Sequence, residues 1–400
     1  MTMKLTEAQA SSPSRSIVDY VTSNIRDYGL LISLIVIVAF FQYMTEGRML
    51  APSNINNIPN QNGYVIIMAL GMMLVIVSGH IDLSVGSVCA FTGATSAVLM
   101  VNYHWPWQLA APATLIVGAI IGGIQGFFIA YLRIPSFIVT LGGMLVFRGL
   151  TYRLLGNTNV GPLPQEFNQL SAGWIPDPFA QPGFYTTTFG LGIIGTVIFV
   201  IMSIKGRLTR LKHAVEEEPI TIFVGRNLLT AVATLYVTFL LAEYRGLPTV
   251  LIILLVLTML YVFVTGRTVI GRRIYALGGN EKAAKLSGID TNRLIQLTFV
   301  NMGVLAALAG LVVTSRFGGM ATPKAGDGYE LDVIAACFIG GASASGGVGK
   351  ITGAVIGALL MGAMNVGMSI LGLGIDDQKW IKGLVLLFAV CLDVYYKKKR

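Results

Sequence analysis

The sequence predicts an all-α protein, a polytopic transmembrane helical bundle of about 10–12 spans with short broken or re-entrant helices. Only 12% of its residues are charged and 54% are hydrophobic, whereas about a quarter of the residues in a soluble domain are charged. The apolar residues are gathered in blocks of roughly 20, the length that a helix needs to cross the hydrocarbon layer. Glycine occurs 47 times, and it lets membrane helices approach closely.

Each apolar block is a candidate span, and together the blocks define a single transmembrane domain over 28–396. A cytoplasmic N-terminal segment, 1–27, precedes this domain, and a cytoplasmic tail, 397–400, follows it. The segments that begin at Ile81 and Leu331 are rich in Gly, Ser and Ala, and each carries an aspartate. We expect short or broken helices there, because lipid does not tolerate exposed irregular backbone; ten full spans plus two half-spans fit as well as about twelve spans. The candidate spans are 28–45, 63–79, 82–101, 108–131, 137–155, 185–204, 227–243, 247–265, 294–315, 331–345, 351–371 and 380–396.

The placement of Lys and Arg predicts that both termini lie in the cytoplasm. If the N-terminus is inside and the spans alternate, the inner segments hold most of the basic residues, including the run from Lys205 to Lys212 and the loop 267–293. The segment 156–183 falls outside and has no Lys or Arg. A bias of this kind sets the orientation of a membrane protein, and it accounts for the net charge of +9 without a nucleic-acid partner.

A weak internal repeat joins the two halves of the chain. In each copy an apolar segment with an aspartate precedes a glycine-rich span that carries the pattern GAxxG, from Gly118 to Gly122 and from Gly353 to Gly357. In the predicted topology the two copies run in opposite directions through the bilayer. Inverted repeats with broken helices are typical of transporters.

The sequence contains no recognisable catalytic or metal-binding constellation. Its histidines, His80, His104 and His213, lack the spacing of metal ligands. The stretch "GGASASGGVGK" at 340–350 superficially resembles a phosphate-binding loop, but Ile351 stands where such a loop needs Ser or Thr to hold Mg²⁺. We therefore expect a flexible glycine-rich turn there, and no enzymatic activity, metal or bound cofactor in this chain.

Two intramembrane acids, Asp82 and Asp332, are candidates for function, because an ionisable group inside a membrane is costly. Each can cap the helix that follows it, lock the fold, or contact cargo. A role in proton coupling is a further alternative, although secondary pumps usually carry more buried acids.

A charged stretch, "GRRIYALGGNEKAAKLSGI" at 271–289, separates two long apolar blocks. Asn280 can cap a short helix that starts at Glu281, and Gly288 stands in the expected C-cap position. A small apolar side of this helix would consist of Ala283, Ala284 and Leu286. A short amphipathic helix on a cytoplasmic loop fits a groove of a partner, or it belongs to a solvated loop that lies on lipid headgroups.

Four stretches carry a resemblance to a known family. The chain resembles the permeases of the ribose/xylose/galactose branch of bacterial ABC sugar importers, and its length looks most like the xylose and multiple-monosaccharide members. His80 is a departure, because an acidic residue is expected there in that family. The stretches are "SGHIDLSVGS" (78–87), "IPSFIVTLGGMLVFRGL" (134–150), "GRRIYALGGNEKAAKLSGI" (271–289) and "LDVIAACFIGGASASGGVGKITGAVIGA" (331–358).

The resemblance implies a homodimeric permease in the bacterial cytoplasmic membrane that moves a monosaccharide inward by alternating access. It implies a partner ABC ATP-binding subunit, often a tandem two-domain chain, that hydrolyses ATP, and a soluble sugar-binding protein outside the membrane. It also implies an ATPase-coupling loop at about 266–293. The coupling residues are then Tyr275, Gly278, Gly279, Asn280, Glu281, Ala283, Ala284, Leu286 and Gly288.

A path for a sugar needs amides, hydroxyls and aromatic faces rather than net charge. Polar residues inside apolar helices are costly against lipid, so they face other helices or a wet cavity. Aromatic rings there either stack on a sugar or pack helices together. The candidate substrate-pathway residues are Asp82, Gln125, Phe137, Thr140, Phe147, Asn301 and Asn365.

Three alternatives to a sugar importer remain at this stage. An ion-coupled secondary transporter would move its solute without an ATPase. An ABC permease for branched-chain amino acids would differ in cargo, and an intramembrane enzyme would need a nucleophile pair or a metal cluster. The identity of the sugar is not encoded in an obvious motif.

Overall fold

The computed structural model of the chain describes residues 25–213, 219–316 and 318–398. Within these ranges the protein has fifteen α-helices and no β-strand, which confirms the all-α class. Residues 1–24 of the predicted N-terminal segment and 399–400 of the predicted tail lie outside the described residues. In chain order the helices are α1 Ile25–Met44, α2 Pro52–Val77, α3 Val85–Val101, α4 Trp107–Ala130, α5 Ser136–Leu155, α6 Gln165–Ala172, α7 Thr186–Lys212, α8 Ile220–Ala242, α9 Thr249–Arg267, α10 Val269–Gly279, α11 Glu281–Leu286, α12 Thr291–Arg316, α13 Tyr329–Ile339, α14 Ile351–Ile370 and α15 Ile375–Lys398.

The long helices are apolar enough to cross a membrane. Among the described residues, eight helices have at least 18 residues and a sufficiently apolar window: α2, α4, α5, α7, α8, α9, α12 and α14. The helix α3 and the Gly29–Met44 part of α1 are shorter apolar helices. Five helices begin directly after a proline. Proline has no backbone N–H, and this is not a disadvantage at a helix start, because the N–H groups there have no acceptor within the helix. The five prolines are Pro106, Pro135, Pro164, Pro219 and Pro248.

The centre of the bundle is formed by α2 and α12, two helices of 26 residues that are mostly buried. Glycine allows α4 to pack closely against α12. A Cβ on Gly122 of α4 would overlap the backbone carbonyl of Phe299 on α12, and Gly118 and Gly303 stand in the same relation. The two backbones therefore touch without side chains between them, which is the packing that small residues permit in membranes.

Two helices are short, as the sequence predicts. The helix α13 has 11 residues and ends at Ile339, followed by Gly340. The helix α3 begins only at Val85, after the non-helical stretch 78–84. The order of a long buried helix, a short helix and a GAxxG helix therefore occurs twice, in α2–α3–α4 and in α12–α13–α14. The GAxxG glycines have different neighbours, α12 in the first copy and α13 in the second. The opposite direction of the two copies stays a prediction.

The helix boundaries differ from the predicted spans where polar residues find tertiary partners. The helix α2 begins at Pro52 rather than at 63, because its asparagines are satisfied inside the protein. For example, the buried Asn56 donates from Nδ2 to the carbonyl of Gly246, at 3.0 Å. The helix α10 was not predicted, because its two arginines and three glycines obscure the helical pattern. The side chain of Thr268 accepts a hydrogen bond from the N–H of Gly271 and caps this helix.

Candidate functional site

The predicted capped helix exists. The side chain of Asn280 accepts a hydrogen bond from the N–H of Ala283 at 3.0 Å, so Asn280 is the N-cap of α11. Gly288 has φ +81°, a left-handed conformation in which glycine is favoured because it has no Cβ. Asn280 also directly follows α10, so the two helices adjoin, and together they are called the α10–α11 element (residues 269–288).

The outward face of α11 differs from the predicted apolar side. Ala284 is buried against the bundle, whereas Ala283 and Leu286 are exposed, Leu286 to 90%. The reason is helical geometry: Ala283 and Leu286 are three residues apart and share a face, while Ala284 lies about 100° away. The prediction that all three residues form one side is therefore wrong.

Arg133 ties α11 to the connection between α4 and α5. Its guanidinium donates to the Glu281 carboxylate at 2.7 Å and to the Asn292 side-chain oxygen at 2.8 Å. Both members of the ion pair are about half exposed, so its contribution to stability is small, about 0.2–1 kcal/mol. Because the same guanidinium contacts Glu281 on α11 and Asn292 on α12, it links α11 to the bundle.

His80, the departure from the family pattern, lies close to this pair. Burial lowers the pKa of its imidazole, while the nearby Glu281 raises it and Arg133 lowers it. The ring is therefore neutral at pH 7, and its centroid lies 5.9 Å from that of Phe299. A neutral ring packed on the core occupies the place where the family resemblance predicts a charge.

The C-terminal end of α10 packs directly against the backbone of Val77 and Gly347. A Cβ on Gly278 would overlap the carbonyl of Val77, the last residue of α2. The N–H of Gly347 donates to that same carbonyl at 2.8 Å, and the hydroxyl of Tyr275 donates to the carbonyl of Gly349 at 2.7 Å. Tyr275 and Gly278 therefore face into the protein rather than outward.

Asp82 braces a turn in a buried polar cluster. Its carboxylate accepts hydrogen bonds from the N–H of Ser84 at 2.8 Å and from the Ser84 hydroxyl at 2.6 Å. Gln125 donates to the same hydroxyl at 2.9 Å, and Thr140 lies next to the carbonyl of Ile81. Ser84 is the N-cap of α3, so the capping alternative for Asp82 is ruled out; its carboxylate holds the preceding turn.

Asp332 lies in a second buried cluster. It accepts hydrogen bonds from the Tyr64 hydroxyl and from Asn365, both at 3.3 Å, and Lys382 lies 3.1 Å from its carboxylate. The N-cap of α13 is Gly328, so the structure rules out the capping alternative for Asp332. Asp332 lies within the first turn of α13, past the N-cap position, and its carboxylate pairs with Lys382.

The remaining candidate pathway residues lie apart from these clusters. Asn301 is hydrogen-bonded to the Tyr261 hydroxyl, Phe147 packs on Phe91 with ring centroids 5.5 Å apart, and Phe137 is exposed on α5. Of the candidate pathway residues, the fold thus groups Asp82 with Gln125 and Thr140. Asn365 lies in the Asp332 cluster, and Asn301, Phe137 and Phe147 lie elsewhere. Their role in a pathway stays a prediction.

The sequence did not indicate the partners of Asp332 and Glu281, which are Lys382 and Arg133. Lys382 is a lone cation near the start of a predicted span, and an intramembrane charge of this kind is a signal for a buried partner. Arg133 lies in a short loop and carries no comparable signal. Arg148, which lies in the middle of a predicted span, donates to the backbone carbonyl of Ala325.

Comparisons with known proteins identify the family. Residues 54–390 match the family model described as "Branched-chain amino acid transport system / permease component". The chain belongs to this family of membrane permeases. The permease is 39% identical over 94% of its length to the xylose transport system permease protein of Escherichia coli (strain K12), covering 93% of that protein.

Other relatives agree with this assignment. The permease is also 39% identical over 94% of its length to the xylose transport system permease protein of Haemophilus influenzae, covering 98% of it. It is 34% identical over 91% of its length to the ribose import permease protein of Escherichia coli (strain K12), covering 92% of it. No solved structure was found to match the chain. The resemblance seen in the sequence motifs is confirmed, and the chain is a multi-pass transport component rather than an enzyme.

Proposed function

We propose that the permease is the transmembrane subunit of an ABC importer that carries xylose, or a closely related pentose, into the bacterial cytoplasm. The observation that carries this proposal is the 39% identity over 94% of the chain to xylose permease proteins of two organisms, compared with 34% to a ribose permease protein. The family description names branched-chain amino acids, but these full-length relatives carry sugar names.

In this proposal a separate ATP-binding subunit docks on the α10–α11 element. The outward face of this element offers the exposed Leu286 beside the exposed Lys282 and Lys285. Arg133 links α11 to the bundle through Glu281. ATP binding by that subunit then biases the permease between inward-facing and outward-facing states, and the sugar shifts this equilibrium only by its differential affinity for the two. A soluble sugar-binding protein delivers the cargo, and a second copy of the permease completes the assembly.

Basic residues support an inner location for the α10–α11 element and cytoplasmic termini. The residues at this end of the bundle, on the α10–α11 element and the connections around it, include many cations, as expected for a cytoplasmic face. They are Arg133, Arg272, Arg273, Lys282, Lys285, Arg293 and Lys350.

The proposal is tested by uptake of labelled xylose. The permease is reconstituted into vesicles with its cognate ATP-binding subunit and sugar-binding protein, and uptake is measured with ATP present. An excess of unlabelled xylose is expected to abolish the signal, whereas leucine leaves it unchanged. Competition by leucine instead of pentoses would contradict the proposed cargo, and uptake driven by a proton or sodium gradient without ATP would favour a secondary transporter.

A further inference from the structure

The glycine-rich stretch 340–350 has no phosphate-binding role in the proposal, yet it occupies a central position. It connects the short helix α13, which ends at Ile339, directly to α14, which starts at Ile351. It folds into a tight turn, in which the N–H of Ser343 donates to the carbonyl of Val348 at 3.0 Å. This segment, the glycine turn, also touches the α10–α11 element.

The closest contact between the glycine turn and α10 is backbone against backbone. A Cβ on Gly347 would lie 2.9 Å from the Cα of Gly279, and a Cβ on Gly278 would lie 2.7 Å from the nitrogen of Gly347. Gly347 has φ +73°, so glycine is required there by conformation as well as by space. Because no flexible side chain intervenes, a shift of α10 displaces the glycine turn with little loss.

A hydrogen bond reinforces this contact. The half-buried Tyr275 donates from its hydroxyl to the carbonyl of Gly349 at 2.7 Å. Burial raises the pKa of Tyr275, so the hydroxyl keeps its proton at neutral pH and remains a donor. The carbonyl of Val77 at the end of α2 accepts from the N–H of Gly347 on the other side, which holds the turn between two helices.

The glycine turn leads to buried groups that differ in chemistry from the lipid-facing helices. On one side it continues into α13, which carries Asp332. The partner of Asp332, Lys382, lies on α15. On the other side it continues into α14, which carries Asn365, a second partner of Asp332. A displacement of the turn therefore acts on both helices that surround the buried ion pair.

We propose that the glycine turn receives the movement of the α10–α11 element and passes it to α13 and α14, with Tyr275 and Gly278 as positioning residues at this junction. This inference rests on the proposed function and deepens it. It divides the predicted coupling residues into two groups. Glu281, Ala283 and Leu286 lie on the surface offered to the ATP-binding subunit, whereas Tyr275 and Gly278 transmit the movement inside the permease.

The test uses the assembled transporter and separates docking from transmission. Two quantities are measured: copurification of the cognate ATP-binding subunit, and the amount of xylose imported per ATP hydrolysed. Tyr275→Phe removes one hydroxyl and is expected to keep the subunit bound while import per ATP falls roughly fivefold, the effect of one hydrogen bond on a two-state equilibrium. Tyr236→Phe, at an exposed tyrosine of α8, is the matched control and is expected to behave as wild type.

A second pair of variants tests the backbone contact. Gly278→Ala forces α10 away from the carbonyl of Val77 and is expected to uncouple import from hydrolysis more strongly than Tyr275→Phe. Gly225→Ala, on α8 where a Cβ meets open space, is the control. Leu286→Ser is expected to weaken copurification instead.

One result would overturn transmission through the glycine turn, and a different result would overturn the proposed function. Wild-type import per ATP in Tyr275→Phe would remove the glycine turn from the transmission route, even if Gly278→Ala failed to fold. If the wild-type permease did not copurify with the ATP-binding subunit at all, the proposed function itself would fail.

Discussion

Lys382→Met is expected to lower the unfolding temperature of the detergent-purified permease more than any substitution of an exposed cation. Lys382 lies 3.1 Å from the carboxylate of Asp332, and the Asp332 side chain is only 2% exposed. Removing one partner of a buried ion pair leaves an uncompensated charge and costs about 3–5 kcal/mol. Tyr64 and Asn365 still donate to Asp332, but neutral donors offset the buried charge only in part.

A matched control lies one turn earlier on the same helix. Lys379 pairs with Asp327 at 2.8 Å, but both side chains are more than half exposed, and such pairs contribute about 0.2–1 kcal/mol. Lys379→Met should therefore have a small effect. The double variant Asp332→Asn with Lys382→Met removes both charges and should recover most of the stability that Lys382→Met loses. Equal unfolding temperatures for Lys379→Met and Lys382→Met would show that Asp332 does not depend on this partner.

Gly122→Ala is expected to reduce the yield of folded, monodisperse permease sharply. The added Cβ would overlap the backbone carbonyl of Phe299 on α12, and backbone cannot move aside as a flexible side chain can. Overpacking of this kind costs typically about 1–3 kcal/mol, occasionally more. The contact joins α4 to one of the two central helices, so its loss affects the whole bundle.

The next residue provides the control. A Cβ on Gly123 would lie 3.6 Å from a methyl group of Val300, which is an ordinary contact. Alanine also favours a helix over glycine by about 1 kcal/mol, so Gly123→Ala should leave stability unchanged or raise it. The unfolding temperature and the monodisperse fraction in size-exclusion chromatography should thus fall for Gly122→Ala but not for Gly123→Ala. A Gly122→Ala protein as stable as Gly123→Ala would contradict the described packing of α4 on α12.

Local features of this protein could be predicted from its sequence. The short helix α13, the cap of α11 by Asn280 and the left-handed Gly288 follow from residue type and spacing within a few positions. The helix α10 could not be predicted, because its glycines and arginines do not give a recognisable helical pattern. Its stability depends on the packing of Gly278 against α2. Helices of this kind are stabilised by tertiary contact more than by propensity.

Partners far apart in sequence could not be predicted. Asp332 and Lys382 are 50 residues apart, and Tyr275 and Gly349 are 74 apart. Of the alternatives for Asp332, helix capping is ruled out, and the sequence could not choose among them because it shows the nearby helix start but not the distant lysine. The candidate pathway residues were chosen as polar groups in apolar helices, and that criterion selects buried structural hydrogen bonds as readily as a path.

Cysteine labelling tests the central claim, that a separate ATP-binding subunit binds the α10–α11 element on the cytoplasmic side of the membrane. In a Cys391→Ser background, which leaves the buried Cys89 and Cys337, Leu286→Cys and Phe179→Cys each offer one exposed site. Phe179, 73% exposed between α6 and α7, is the control for the opposite membrane face. A membrane-impermeant maleimide is added to vesicles of known orientation, with and without the subunit.

The account predicts that Cys at 286 reacts only in inside-out vesicles and is protected when the ATP-binding subunit is bound. Cys at 179 should react only in right-side-out vesicles and be unaffected by the subunit. Reaction at 286 from the outer face, or equal reaction at 286 with and without the subunit, would contradict it.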